Sequence, residues 1–100
     1  MSNREVRLTA AARKDFRAIL RYTGLEWGSE QRDRYGLLIE KGFARIAEFP
    51  ELGESQIELG VGGRAIRIEM HVVYYRATPK TIRILRIRHV RAAILGLEDL

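Results

Sequence analysis

Cysteine is absent from this 100-residue sequence, which excludes disulfides and thiolate metal centres and implies no oxidising compartment. Histidine occurs only at His71 and His89, without the close imidazole or carboxylate spacing that a metal site needs. Neither a metal nor another cofactor is expected. No apolar run approaches the roughly 18 residues of a membrane helix. Residues 1–8 include Arg4, Glu5 and Arg7 and lack the apolar stretch of a secretory leader. The expectation is a cytoplasmic protein with no membrane contact. Repeats, low-complexity tracts and linkers are missing too, so residues 1–100 should form one domain around a modest core.

Negative charge is scarce in one part of the chain only. Residues 1–63 balance ten Lys and Arg against ten Asp and Glu. Residues 64–91 set Arg64, Arg67, Arg76, Lys80, Arg83, Arg86, Arg88 and Arg91 against the single Glu69. Glu98 and Asp99 then bring the total to +5. A cationic field concentrated in one third of a small protein attracts an anionic partner, either nucleic acid or an acidic protein surface. Alternating arginines also mark the solvated side of a sheet, and the charge alone does not separate these readings.

Residues 5–8 alternate polar and apolar, as a short strand does. Thr9 is a plausible N-cap for a helix running to about residue 26, with a stripe through Ala12, Phe16, Ile19, Leu20, Thr23 and Trp27. Gly28 suits a C-cap and Ser29 an N-cap, so a second helix should fold back antiparallel on the first. Its stripe comprises Tyr35, Leu38, Ile39, Gly42, Phe43, Ile46 and Phe49, and it stops before Pro50. Gly42 within that stripe points to close approach of another backbone.

Residues 50–63 read as a loop. Gly60, Gly62 and Gly63 precede a strand, so they suit a connector better than a phosphate loop. The period then changes to two: residues 66–70, then 72–76 after a turn near 69–71, then 81–89 after a turn at 77–80 containing Pro79. In the last run both Ile82/Ile84 and Leu85/Ile87 are apolar. The face therefore switches through a bulge, or both sides are covered, as in a central strand. Residues 92–97 suit a short terminal helix or a frayed end. The order is an N-terminal strand, a two-helix antiparallel hairpin and a three-stranded antiparallel meander. It argues for an α+β fold with the helices on one sheet face.

Several segments in order carry a family resemblance. They are Leu8-Thr9-Ala10-Ala11-Ala12, Asp15-Phe16-Arg17-Ala18-Ile19, Tyr22, Trp27-Gly28-Ser29-Glu30-Gln31 and Tyr35. Ile46-Ala47-Glu48-Phe49-Pro50-Glu51-Leu52-Gly53 and Gly63-Arg64 follow. Then come His71-Val72-Val73-Tyr74-Tyr75-Arg76 and Ile82-Arg83-Ile84-Leu85-Arg86-Ile87-Arg88-His89-Val90-Arg91. Over nearly all its length the chain resembles the ParE branch of the RelE/ParE superfamily. That resemblance implies the toxin of a bacterial type II toxin–antitoxin system, held in a hetero-oligomer by a cognate ParD-like antitoxin. The implied target is DNA gyrase, inhibited by binding without turnover chemistry. DNA would be met only indirectly, through the antitoxin.

The other branch of the superfamily, RelE, cleaves mRNA on the ribosome. Such chemistry needs a base for the ribose 2′-OH, an acid for the leaving oxygen and cations for the phosphate. Arg64 and His89 match positions used by nucleases of the superfamily, and Glu51 or Glu54 offers a base. Past His89 the chain reads Val90-Arg91-Ala92-Ala93-Ile94, closer to the ParE ending. A third class is a basic nucleic-acid-binding module without toxicity.

The candidate binding residues are therefore Arg64, Arg67, Arg83, Arg86, Arg88, His89 and Arg91, able to meet phosphates or acidic side chains. Phe16, Trp27, Tyr35 and Phe43 are expected in the core, and His71 is expected to be structural or to face the antitoxin. Tyr22, Leu25, Leu37 and Leu38 extend the apolar stripes outward, where a groove would accept an amphipathic antitoxin helix. By the same resemblance, residues 92–100 are a candidate target-contacting element.

Overall fold

The computed structural model describes residues 4–93. Strand β1 (Glu5–Leu8) leads into helix α1 (Ala10–Trp27) through Thr9. The extended backbone of Thr9 turns its Oγ1 to accept from the Ala12 amide at 3.0 Å, as an N-cap does. Gly28, at φ 94°, ends α1 and directly begins α2 (Ser29–Glu48), a conformation that an L side chain rarely adopts. The hinge is thus one residue long, and Ser29 lies inside α2 instead of capping it. The helix ends at Glu48 because Phe49, preceding Pro50, is held out of the helical region.

The connector after α2 is more ordered than its composition implies. It holds two short 3₁₀ turns, Pro50–Leu52 and Ile57–Leu59, on either side of a two-residue strand β2 (Glu54–Ser55). Two paired residues are too few to show a period of two. Strands β3 (Gly63–Ile68), β4 (His71–Ala77) and β5 (Thr81–His89) form the antiparallel meander, followed by one turn of helix, α3 (Val90–Ala93). Residues 94–100 of the expected terminal element lie outside the described residues.

The strand order is β1-β5-β4-β3-β2. Strand β1 runs parallel to β5, pairing Glu5 with Thr81 through Leu8 with Ile84. The sheet therefore has five strands, with β5 between β1 and β4. The pairing of β4 with β5 skips a residue: Tyr74 faces Arg86 and Tyr75 faces Ile84, which leaves Leu85 as the extra residue of a bulge. That bulge explains the switch of apolar parity. Ile82 and Ile84 before it and Ile87 after it are all buried.

The helix hairpin covers one sheet face. Ala12, Ile39, Phe43, Ile46 and Ala47 meet Val73, Tyr75, Ile82, Ile84 and Ile87 in one core. Each fully buried aliphatic side chain there contributes about 1.5–3 kcal/mol. Phe16 and Phe43 meet edge to face with centroids 6.0 Å apart, and Tyr35 packs against the margin of the core. Trp27 departs from the expectation for the core: it is 72% exposed. It is the last residue of α1, so no further turn of helix lies over it. Phe49 also leaves its stripe and is 43% exposed, because the chain has already left α2.

Gly42 faces the side chain of Ile68 on β3, not another backbone as its place in the stripe suggests. A Cβ built there would collide with three side-chain carbons of Ile68. Gly42→Ala is therefore expected to destabilise the fold by about 1–3 kcal/mol, although alanine favours a helix by about 1 kcal/mol. Urea denaturation of Gly42→Ala alone and combined with Ile68→Ala checks this. The pair should be less destabilised than the sum of the two single changes.

Candidate functional site

Strand β1 ends at Leu8, so beyond Ile84 the edge of β5 has lost its strand partner. Helix α1 takes over. The Thr9 amide donates to the Ile84 carbonyl at 3.1 Å, and Thr9 Oγ1 donates to the Leu85 carbonyl at 3.0 Å. One turn and a half later, Asp15 Oδ2 accepts from the Ile87 amide at 2.9 Å and from Arg86 Nε at 2.8 Å. Asp15 Oδ1 accepts from Arg86 Nη2 at 3.2 Å. The carboxylate and guanidinium are mostly buried and form a two-pronged ion pair, which favours the charged form of Arg86. Asp15 was legible as a charge on the apolar row Ala12, Ile19 and Thr23, an inward-facing position in α1.

Past this clamp a cleft of about 650 Å³ opens between the helix hairpin and the far end of the sheet. Tyr22, Trp27, Tyr35, Met70, His71 and His89 are among its lining residues. It is deeply aromatic. The Tyr35 hydroxyl accepts from the Met70 amide at 3.0 Å and lies 2.6 Å from His71 Nδ1. That contact props the hairpin turn, where Glu69 takes a positive φ of 54°. Burial raises the Tyr35 pKa above its ordinary value, so the phenol keeps its proton. The two histidines face each other across the β4–β5 pair with ring centroids 5.4 Å apart, one edge toward the other's face. Burial first, and the neighbouring His89 second, push the His71 pKa down to about 4. Nδ1 of His89 accepts from the Arg91 amide at 3.1 Å.

The arginines that charge patterning grouped together are separated by the sheet. Arg64 lies on the helix side, where Nη1 donates to the Gly53 carbonyl at 2.7 Å. The same corner is tied by the buried Tyr75 hydroxyl, which accepts from the Gly53 amide at 2.9 Å and donates to Pro50 O at 2.6 Å. Arg86 is held by Asp15. Arg67 and Arg88 flank Val72 in one row across three strands, on the face away from the helices. Beside that row a second cleft, of about 450 Å³, has Tyr74, Ala65, Leu52 and Ala93 among its lining. Arg83 is exposed two rows away opposite Arg76, whose guanidinium donates to the Leu59 carbonyl. Arg91 is exposed in the terminal turn.

Arg64 and His89 are not brought together. Arg64 is level with Tyr75 and His89 with His71, four residues apart along β4, or about 13 Å. They also sit on strands separated by β4. Of the outward apolar residues, Tyr22 lines the aromatic cleft, whereas Leu37 lies with Leu20 and Phe16 on a shallow depression elsewhere on the hairpin. Leu25 is exposed and lines neither cleft. Among the described residues no group of three His, Cys, Asp or Glu is placed to hold a metal ion, and no helix is long and apolar enough to cross a membrane.

A helix hairpin on one face of a meander whose last strand pairs with the first is a fold found in toxin–antitoxin proteins. It matches a chain of the chromosomal ParDE TA system of P. aeruginosa with TM-score 0.72 at 22% identity, covering 87% of this chain and 96% of that one. It matches the toxin–antitoxin complex RelBE2 of Mycobacterium tuberculosis with TM-score 0.61 at 23% identity, covering 88% and 99%. The family model for the ParE toxin of the type II toxin–antitoxin system parDE matches residues 6–94. The chain belongs to that family. Toxin ParE of Escherichia coli is 42% identical over 67 residues, which span 67% of this chain and 65% of that toxin. Toxin ParE1 of Caulobacter vibrioides is 32% identical over 83 residues, 83% of this chain and 85% of that one.

The depressed His71 pKa sets a pH dependence of folding. The folded state holds the ring neutral, whereas an unfolded chain protonates it near 6.5. The stabilisation is therefore complete above about pH 6.5 and declines as pH falls toward 4. The loss at about pH 5 should be up to about 2 kcal/mol, reduced by solvent reaching the half-buried ring. Urea midpoints measured at neutral and acid pH should show this loss, and His71→Gln should flatten it.

Proposed function

We propose that this chain, as a single toxin domain, arrests growth by binding DNA gyrase and is neutralised by a ParD-like antitoxin in a hetero-oligomer. The observation that carries the reading is the family match across residues 6–94, nearly the whole described structure. Action by binding, without turnover, is supported by the separation of Arg64 from His89, since a phosphodiester cannot meet both at once. Arg64 is also committed to the Gly53 carbonyl. The aromatic cleft suits the antitoxin. It offers exposed Tyr22 and Trp27 beside a long apolar wall, the surface that an amphipathic segment covers. On the opposite face the exposed Arg67 and Arg83 suit an acidic surface of the target.

The fold shared with the RelBE2 complex supports a second reading, ribosome-dependent mRNA cleavage. One experiment separates the two. The chain is expressed without its antitoxin while DNA synthesis and translation are followed independently, and the purified protein is added to gyrase in a supercoiling assay. The expected result is an early DNA-damage response and loss of supercoiling, with translation failing later. Transcripts cut on translating ribosomes, with supercoiling intact, would overturn the proposal.

A further inference from the structure

The two histidines of the aromatic cleft have their protons placed by the fold. A backbone amide can only donate, so the bond from the Arg91 amide makes His89 Nδ1 an acceptor. In its neutral form that ring carries its hydrogen on Nε2. At His71 the choice is made by Tyr35. Its oxygen already accepts from the Met70 amide, and the phenol hydrogen needs an acceptor. His71 Nδ1, 2.6 Å away, is placed to be that acceptor, and in the tautomer where it accepts the phenol hydrogen this ring too carries its hydrogen on Nε2. Neither Nε2 has a bonding partner among the described residues. Two rings that line the cleft, 5.4 Å apart, thus carry N–H groups at a spacing that the two oxygens of one carboxylate can bridge.

The surrounding charges favour an anion there. Among the described residues Asp15, from α1, is the one carboxylate lining the cleft, and both its oxygens are spent on Arg86 and the Ile87 amide. Tyr22 from α1 and Tyr35 from α2 contribute phenols. The turn below Tyr35 carries Glu69 and Arg67, which act on it in opposite directions. Arg91 stands on α3 next to His89. The metal alternative is disfavoured by the same tautomers, because a coordinating nitrogen must present a lone pair and not a hydrogen.

We propose that His71 and His89 form a carboxylate-recognition site, which takes an Asp or Glu side chain of the antitoxin while flanking apolar residues of the same segment pack on Tyr22 and Trp27. The inference rests on the reading that the antitoxin occupies this cleft. Both bonds are made by neutral rings: His89 Nδ1 stays the acceptor of the Arg91 amide while its Nε2–H donates to the carboxylate.

The test uses the full-length toxin and the antitoxin with which it co-purifies. Affinity is measured at constant ionic strength and neutral pH. His89→Gln keeps an N–H donor, so it should bind within about twofold of wild type. His89→Leu should bind about tenfold more weakly. Within the antitoxin, one Asp→Asn or Glu→Gln replacement should weaken binding to the wild type by a similar factor and change binding to His89→Leu little. A His89→Leu variant with unchanged affinity, or an antitoxin in which no such replacement weakens binding, would overturn the carboxylate site. Trp27→Ala and Tyr22→Ala tell the two failures apart. If they weaken binding while His89→Leu does not, the cleft still seats the antitoxin and only the carboxylate site falls. If all three leave affinity unchanged, the antitoxin does not occupy the cleft and both readings fall.

Discussion

The clamp between α1 and the edge of β5 is the constraint on which the remaining geometry depends. A strand whose partner stops after four residues exposes amides and carbonyls that must be satisfied. Thr9 meets the Ile84 and Leu85 carbonyls, and Asp15 meets the Ile87 amide. These bonds span the bulge at Leu85. They also set how α1 lies on the sheet, and the width of the cleft beyond it follows. Losing the Asp15 carboxylate would leave a half-buried guanidinium and a strand amide without their partner, at a cost of about 2–3 kcal/mol.

Beyond the clamp, polar groups substitute for packing. The Tyr35 hydroxyl joins α2 to the β3–β4 turn and orients His71, which in turn meets His89. Each of the hydrogen bonds uses polar atoms that an apolar lining would not have. Where a purely apolar wall would bind any greasy segment, this wall sets two imidazoles among aromatic side chains. Directional donors in a partly dry site discriminate among partners more sharply than apolar area does.

The basic third of the sequence illustrates how one charge pattern divides into unlike roles. Arg64 and Arg76 hold loop carbonyls, Arg86 neutralises Asp15, and Arg67 and Arg88 share a row on the face away from the helix hairpin. Spacing in sequence could not separate these, because pairing partners and the bulge decide which way each guanidinium turns. The same holds for the nuclease-like pair Arg64 and His89, which are 25 positions apart in sequence but several rungs and two strands apart in the sheet.

By itself the sequence determined the elements and their order. Period and capping chemistry are local: Thr9 as an N-cap, Gly28 as the hinge, Pro50 as the stop and alternation from residue 66 all act within a few bonds. It also required a bulge or full coverage in β5, since Ile84 and Ile87 cannot share a face of a regular strand. Tertiary structure alone decided that β1 joins β5 in parallel, that two residues of the connector form a fifth strand, and that Trp27 stands outside the core. It alone brought Tyr35, His71 and His89 together from two layers of the fold. Those facts depend on contacts between residues distant in sequence, and no local preference of the chain encodes them.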